Sequence, residues 1–386
     1  MPVSSIASAQ PRMLVLARES RGWRQGDVAK EMKALDGRDD SKISQAYVSR
    51  AESGKLIVSG ERLDLFAHAL GYPADLLTLD EGEVGAGPGL VHHRKKQALG
   101  APELRRIHAV LNLTRVQLRG LLGDAPRVAD LKIPHITVDD YTSPEDAARA
   151  VRNEWALPRG PLSSVVTTLE AAGGWVFSRS LIAPAVLDSG NESVPVDAVS
   201  SCPPGEDPII LLNEGTPGNR QRFTLAHELG HMVMHPVPHP DQEKQANRFA
   251  AEFLMPANDI RDALAGTIDL SRLLDLKEQW RVSMWALLRR AHTLSAISDW
   301  QYRTLAVEMS SLGYRTTEPV KLDAEKPFAV RAAVDKQLSQ GRDIESLAQA
   351  TLLRTEEFSR LYLDLNPLEH PNRPIRHLLP RSRHEQ

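Results

Sequence analysis

The sequence predicts a mainly α-helical protein of the α+β class, in which a small β-sheet interrupts a series of helices. Apolar residues recur at three- and four-residue spacing in most segments, which is typical of amphipathic helices. Three short runs rich in β-branched and apolar residues predict strands at 175–179, 196–201 and 209–213. With 386 residues, of which 41% are hydrophobic and 25% charged, the chain is long enough for two or three globular domains.

The first eighty residues predict five short helices, at 13–20, 25–33, 44–53, 60–70 and 73–79. Ala29 is small where two helices would cross, and Val48 would fill the space beneath the third helix. That helix would expose a row of side chains near its N-terminal end: Ser44, Gln45, Tyr47, Ser49 and Arg50. An amide such as that of Gln45 can read adenine in the major groove of DNA, and Gln25 and Lys55 are placed to contact phosphates.

These segments resemble the helix-turn-helix domain of the XRE repressor family. The resemblance is carried by Arg-Glu-Ser-Arg-Gly-Trp-Arg-Gln at 18–25, by Val-Ser-Arg-Ala-Glu-Ser-Gly-Lys at 48–55, and by 63–71. It implies binding to double-stranded DNA. An insertion between Met32 and Ser44, which includes 36–42, departs from the family, because this connection is about nine residues longer than a compact four-residue turn. A five-helix unit can also serve as a protein-docking or dimerisation module, and that alternative stays open.

A Gly-rich acidic stretch at 80–89 predicts a linker, and 91–122 beyond it hold seven Lys and Arg against one Glu. A helix is predicted at 102–122, with a seam of mostly apolar residues: Leu104, Ile107, Leu111, Thr114, Leu118 and Leu121. The seam suits a short coiled coil, which would give a homodimer on a paired DNA site. It suits equally a connector helix packed against the rest of the chain.

Residues 227–231 read His-Glu-Leu-Gly-His within an amphipathic stretch that predicts a helix. Residues four apart lie on one face of a helix, so His227 and His231 can direct both imidazoles at one cation. Glu228 would lie beside the metal, placed to take a proton from a water whose pKa the cation lowers. Chance predicts roughly 0.03 such matches in a chain of this composition. Gly230 is expected where another segment must pack close to the helix.

A catalytic zinc site has a third protein ligand and keeps one position open. We predict Glu243, because it lies three residues before Ala246 on the apolar face of a helix within 241–256. A carboxylate on a buried face is unfavourable unless a charge or a metal meets it. The alternative for Glu243 is a surface position in the first helical turn. His235 and His239 are rival ligands or candidate oxyanion stabilisers, although the neighbouring prolines favour a loop.

From about 143 to 315 the sequence resembles the ImmA/IrrE-type metallopeptidases. The resemblance is carried by the His-Glu-Leu-Gly-His helix, by Glu-x-x-Ala-Asn-x-Phe-Ala-Ala from residue 243 with the Leu-Met-Pro after it, and by 207–213 and 282–291. It implies a zinc-dependent, gluzincin-like endopeptidase with His227, His231 and Glu243 as ligands and Glu228 as the general base. Family members cut a helix-turn-helix repressor under stress or phage-related signals, and some carry a DNA-binding domain. This ligand set would also accept Mn²⁺ or another divalent ion.

The net charge of −3 does not by itself indicate a nucleic-acid binder, so the DNA prediction depends on the residue pattern. The single cysteine, Cys202, excludes an intramolecular disulfide and a Cys-based zinc cluster, and predicts a cytoplasmic protein. We interpret it as an ordinary thiol at a strand end, with redox sensing as the alternative. No run approaches about eighteen apolar residues, and the N-terminus does not resemble a secretion signal, so no membrane association is expected.

We therefore expect four regions: a helix-turn-helix domain at 1–80, a linker and basic helix at 81–125, a metallopeptidase domain at 126–300, and a helical region with a loose tail at 301–386. Further helices are expected at 144–155, 162–171, 273–280, 283–294 and within 320–366. An exposed edge strand, either 209–213 or 196–201, would bind an extended substrate.

The predicted function is a DNA-binding regulatory protease that cleaves a transcriptional repressor, or itself, in response to a stress or phage-related signal. The alternative is a transcription regulator whose metal site is structural or sensory. Glu228 favours catalysis, because a structural site needs no base beside the metal and usually closes its fourth position.

Overall fold

The computed structural model describes residues 7–38, 41–80, 91–93, 100–123, 131–181, 196–203, 205–237 and 239–363, with the main chain alone at 91–93. The predicted acidic linker beyond residue 80, the tail from 367 and part of the insertion at 36–42 lie outside these residues. Helices dominate the described chain, and one four-stranded sheet accompanies them. The predicted mainly α, α+β class is confirmed.

The five predicted N-terminal helices are all present: α1 Pro11–Ser20, α2 Gln25–Asp36, α3 Gln45–Glu52, α4 Glu61–Leu70 and α5 Ala74–Thr78. Helix α2 continues past the predicted end at residue 33, so part of the insertion lengthens this helix. Gly37 then ends it in the left-handed conformation with a φ of 62°. Ala29 and Val48 are buried, as their packing roles predicted.

Helix α6 (Ala101–Leu122) is a connector inside the chain. It packs against α1 and against helices near the C-terminus. Five of its six predicted seam residues are buried in this chain: Ile107, Leu111, Thr114, Leu118 and Leu121. The seam therefore packs within the chain, as the connector-helix alternative predicted. A homodimer stays a prediction.

The sheet combines β1 (Val91–His93), β2 (Trp175–Arg179), β3 (Ala198–Ser201) and β4 (Ile209–Asn213) in the order β1-β3-β4-β2. Strand β3 is antiparallel to both of its neighbours, and β2 is parallel to β4. Strands β3 and β4 both lie inside the sheet, so the expectation that 209–213 or 196–201 forms an exposed edge was wrong. Strand β3 has only the three-residue β1 on its outer side, and β1 itself was not predicted.

The remaining helices of the described chain precede or follow these strands in sequence. They are α7 (Pro144–Glu154), α8 (Val165–Ala171), α9 (Gly218–Met234), α10 (Gln242–Leu254), α11 (Ala257–Ile260), α12 (Leu270–Trp280), α13 (Met284–Thr293), α14 (Asp299–Ser311), α15 (Ala329–Ser339), α16 (Ile344–Ala350) and α17 (Thr355–Phe358), with a π-turn at Ser359–Leu363. In the region predicted to be helical at 320–366, the residues up to Phe328 are not helical. Helix α14 was not predicted from the sequence. No helix of the described chain is long and apolar enough to cross a membrane.

The sheet separates two hydrophobic cores, because alternate strand residues point to opposite faces. Phe177 and Leu211 join a core formed by α1–α6 and the C-terminal helices. Val176 and Ile210 join a second core with α7–α10 and α12–α14. Helix α9 therefore lies against the sheet face that belongs to the second core, in contact with β3.

Candidate metal centre

Helix α9 carries the His-Glu-Leu-Gly-His motif and is firmly anchored at its start. Arg222, 1% exposed, pairs with Glu325 and donates to the carbonyl of Leu162 at 2.8 Å. Farther along, a Cβ at Gly230 would come within 3.1–3.2 Å of the Phe249 side chain on α10. Glycine therefore lets α9 and α10 approach closely, which is the packing requirement expected from the sequence.

The closeness of α9 and α10 brings the side chains of three candidate ligands together. His227 Nε2 and His231 Nε2 lie 3.0 Å apart, and the Glu243 carboxylate oxygens lie 3.3 Å from the first and 3.4 Å from the second. Both imidazoles are fully buried, while the Glu243 side chain is 42% exposed. The predicted Glu243 thus faces the two histidines, at a point that solvent can reach.

The donor set and its spacing fit a small divalent cation. Tetrahedral zinc with bonds of about 2.0–2.1 Å holds neighbouring ligand atoms roughly 3.3 Å apart, which is close to the three distances observed. Burial alone would raise the pKa of Glu243, but its contacts with His227 and His231 hold that pKa well below the usual range. Burial also lowers the pKa of His231, which favours the neutral imidazole that a metal requires.

Each histidine is oriented through its other ring nitrogen. Asn247 Nδ2 donates to the Glu243 carbonyl at 2.7 Å, so its Oδ1 accepts from His227 Nδ1 at 3.2 Å. On the other side, His235 donates from Nε2 to Gln245 Oε1 at 2.8 Å. Its Nδ1 is then the acceptor for His231 Nδ1 at 3.1 Å. These contacts direct both Nε2 lone pairs at the same point.

His235 and His239, considered as rival ligands or oxyanion stabilisers, lie in different surroundings. His235 is buried behind His231, with both ring nitrogens engaged, and burial lowers its pKa to about 4. It supports a candidate ligand and does not replace one. His239 is exposed and accepts a hydrogen bond from the Asp241 amide at 3.2 Å. Among the described residues, the group with metal-ligand spacing consists of His227, His231 and Glu243.

Glu228 is fully buried beside the two histidines and points toward the sheet. Ser200 Oγ on β3 donates to Glu228 Oε2 at 2.6 Å. Since a hydroxyl held by a strand fixes one carboxylate oxygen, the carboxylate orientation is set before any substrate binds. Ser200 was not identified from the sequence, because nothing in the local pattern marks a contact between a strand serine and a helix 28 residues later.

Asn247 and Gln245 were also missed as site residues, although both lie in the stretch that suggested Glu243. We expect Asn247→Ala to weaken zinc affinity by about 10–100-fold, because it leaves His227 without the acceptor that orients its ring. The measurement is competition for zinc against a chelating dye. Lys244→Ala, an exposed position on the same helix, is the control and should bind zinc as the native protein does. Equal affinities for Asn247→Ala and the control would contradict this orienting role.

The candidate DNA-binding residues cluster at the start of α3. Gln45 and Arg50 are exposed, and Lys55 is exposed just beyond the helix. Gln45 Nε2 donates to Gln25 Oε1 at 2.7 Å, and Gln25 Nε2 donates to Glu52 Oε2 at 2.8 Å. Because an amide nitrogen has two hydrogens, Gln45 keeps one N–H and its Oε1 for a base edge.

Two predicted DNA contacts, Ser44 and Tyr47, also have structural contributions. Ser44 is the N-cap of α3, and its Oγ accepts from the Tyr47 amide at 3.3 Å. The Tyr47 ring stacks on Phe66 with a centroid distance of 6.2 Å. Ser49 is half-buried on the same helix. The polar face predicted for α3 is therefore partly used to form and anchor the helix.

Cys202 follows β3 and is half-buried. Burial raises the pKa of its thiol. A raised pKa lowers the thiolate fraction, so the structure favours the ordinary-thiol interpretation over redox sensing.

Comparison with known families agrees with this arrangement. Residues 188–292 match the IrrE N-terminal-like domain, a range that holds β3, β4 and the helices carrying His227, His231 and Glu243. Residues 14–77 match the helix-turn-helix family, over nearly all of α1–α5. No curated protein matches the chain. The chain thus joins an XRE-type helix-turn-helix domain to an IrrE-like domain of the metallopeptidase type.

Proposed function

We propose that this protein is a DNA-binding regulatory metalloendopeptidase that uses Zn²⁺ to hydrolyse a peptide bond in a helix-turn-helix repressor, or in itself. Its domains would be those expected from the sequence, with DNA binding at 1–80 and the peptidase at 126–300. The observation that carries the proposal is the convergence of His227, His231 and Glu243 within 4.8 Å, beside the buried carboxylate of Glu228.

A zinc ion would be held by two imidazoles and one carboxylate, which leaves a position for water or substrate. When bound, the ion supplies Lewis acidity that lowers the pKa of water and polarises the scissile carbonyl. Glu228 would take the proton from the attacking water and pass it to the leaving amine. Ser200 would hold one oxygen of Glu228, so that the other oxygen receives the proton in a fixed direction.

Strand β3 supports binding of an extended substrate. It is the last full-length strand on its side of the sheet, and α9 lies against it. A peptide main chain that took the place of β1 beside β3 would pass close to Glu228, because Ser200 lies on β3 and donates to the Glu228 carboxylate. This arrangement favours a protein substrate presented as an unfolded or extended segment.

The competing proposal is a transcription regulator whose metal site is structural or sensory. Glu228 favours catalysis, because a buried carboxylate that is not itself a ligand is costly and has no role in a structural metal site. The 42% exposure of the Glu243 side chain also favours a site that solvent and substrate reach.

The test incubates the full-length protein and zinc with purified candidate repressors, with and without operator DNA, and follows cleavage by mass spectrometry. The proposal predicts a defined cut that a chelator prevents and added zinc restores. Cleavage that persists in the chelator would contradict it. A parallel reaction without a partner detects self-cleavage by the same zinc dependence.

The DNA-binding half makes a separate prediction. We expect Gln45→Ala to cost about 1–3 kcal/mol of discrimination at one base position, because it removes an amide that can pair with adenine. Lys55→Ala should weaken binding to all DNA sequences by the same factor. It should also reduce the slope of log affinity against log salt concentration by about one. Fluorescence anisotropy on a site selected from random DNA measures both, with Arg303→Ala on α14 as the control. Unchanged sequence preference in Gln45→Ala would remove Gln45 from the DNA contacts.

A further inference from the structure

A cavity of about 100 Å³ lies where the helix-turn-helix region, α6, β2 and the C-terminal helices meet. Its walls include Arg21 just after α1, Tyr72 between α4 and α5, Arg106 from α6, Arg179 from β2, and Arg360 after α17. None of the residues assigned to the metal centre or to DNA contact belongs to it. The cavity is therefore a second site, independent of the proposed function.

Two of the cavity arginines are buried with incomplete hydrogen bonding, although Arg179 also lies against the rings of Phe177 and Tyr362 at 5.1 and 5.0 Å. Arg106 is 8% exposed and Arg179 is 6% exposed. Arg106 donates from Nε to the Ser20 carbonyl at 3.1 Å, and Arg179 donates from Nη1 to the Ser178 carbonyl at 2.9 Å. Within the part of the chain that the structure describes, Arg106 Nη1 and Arg179 Nη2 have no hydrogen-bond partner.

The nearby carboxylates do not neutralise these two cations. Glu357 is engaged by Arg21, which donates to both of its oxygens at 2.9 and 3.0 Å. Glu214, the other acidic residue of the wall, is exposed. Four arginines against two glutamates leave the described lining with an excess of two positive charges. Burying cations is costly unless an anion or a set of acceptors meets them.

We propose that this cavity binds a small oxyanion, with inorganic phosphate as its simplest form. The excess of two positive charges would balance a phosphate dianion. The paired N–H donors of a guanidinium group fit two oxygens of a tetrahedral anion. The volume is well below the roughly 300 Å³ of the smallest ordinary ligand pockets, so a whole nucleotide does not fit inside. A bound anion would bridge α6 and β2, and so would connect the DNA-binding region to the sheet beside the metal centre.

The test is calorimetric titration of full-length protein with inorganic phosphate at constant ionic strength, with glycerol 3-phosphate in a parallel arm. We expect saturable binding with a Kd at or below about 1 mM. Binding of both ligands would indicate a phosphoryl group, and binding of phosphate alone would indicate the free ion. Absence of saturable phosphate binding to the native protein overturns the proposal.

Variants locate the site. Arg106→Met and Arg179→Met should each weaken phosphate binding by at least about ten-fold, because each removes a charged donor. Arg303→Met is the matched control and should bind phosphate as the native protein does. Circular dichroism checks that each variant folds. The corresponding lysine variant, Arg106→Lys or Arg179→Lys, keeps the charge without the planar guanidinium and replaces a methionine variant that does not fold. Native-like affinity in the folded Arg106 and Arg179 variants would assign the phosphate to another site and overturn the proposal.

A second inference, which depends on the proposed function, concerns β1. Its main chain pairs antiparallel with the outer side of β3, in a register that sets His92 opposite Ser200. Ser200 contacts Glu228, and α9 contacts β1. The β1 segment thus occupies the edge to which an extended substrate would add. We infer that residues 91–93, between the DNA-binding helices and the peptidase region, cover the substrate edge and keep the peptidase latent.

The test replaces Val91 and His93 with proline, which cannot donate to a strand ladder. We expect cleavage of an added substrate to rise several-fold, while the Val91→Ala, His93→Ala pair leaves it unchanged. Hydrogen exchange at 198–201 should become faster in the proline variant whether or not peptide is cleaved. Faster exchange with unchanged cleavage overturns the latency inference alone. Faster hydrogen exchange at 198–201, with no zinc-dependent cleavage by the native protein or by either variant, contradicts the proposed function.

Discussion

Glu228→Gln is expected to lower the rate of zinc-dependent peptide cleavage by at least about 100-fold, because a positioned general base contributes about 10²–10⁴. Glutamine keeps the size of the side chain and can accept the hydrogen bond from Ser200, but it cannot take the proton. Zinc content should remain that of the native protein, since Glu228 is not among the three converging ligands. Single-turnover cleavage and metal analysis of the same sample measure both quantities.

Glu278→Gln provides the matched control for this variant. Glu278 is an exposed residue of α12, and the same substitution there removes the same charge without touching the metal centre. Cleavage by Glu228→Gln at the rate of this control would remove Glu228 from the chemistry. In that case the structural or sensory role of the metal would become the better proposal.

The second large effect is expected from Glu243→Ala, which removes a candidate zinc ligand. We expect zinc affinity to fall by more than about 100-fold, because even the loss of a group that only orients a ligand costs about 10–100-fold. Zinc at about 100 times its Kd stabilises a native protein by about 2.7 kcal/mol. The variant should lose this stabilisation under conditions where the native protein shows it. Thermal unfolding with and without zinc measures the difference.

Lys244→Ala is the control for Glu243→Ala, since it changes the adjacent exposed residue of the same helix. It should unfold at the same temperature as the native protein in zinc. Full zinc stabilisation in Glu243→Ala would mean that another side chain supplies the third ligand, and His239 would then be the first residue to examine.

Features that depend on local spacing were predictable from the sequence. The four-residue spacing of His227 and His231 requires a helix to bring their imidazoles together, and α9 is that helix. Glu243 was predicted from its place on an apolar helical face, and it faces the two histidines in the structure. The helical pattern of 102–122 likewise predicted α6, but periodicity could not say whether its partner lay inside or outside the chain.

Features that depend on contacts between distant segments were not predictable. The hydrogen bond from Ser200 to Glu228 joins a strand to a helix, and the cavity arginines 106 and 179 come from separate elements. No local sequence pattern encodes contacts between segments that are far apart in the chain. The polar face of α3 shows a different limit: Ser44 is exposed as a base contact requires, yet its side chain caps the helix, because serine readily binds nearby backbone amides. Sequence alone could not separate these two uses.

The proposed function depends on one divalent ion held by His227, His231 and Glu243, with one coordination position left open. X-ray absorption spectroscopy at the zinc edge of the zinc-loaded protein tests it most directly. We predict two imidazole nitrogens, carboxylate oxygen and one further light atom around the ion in the native protein, and a single imidazole in His231→Ala. A fourth protein ligand that closes the site, or an unchanged zinc spectrum in His231→Ala, would contradict it.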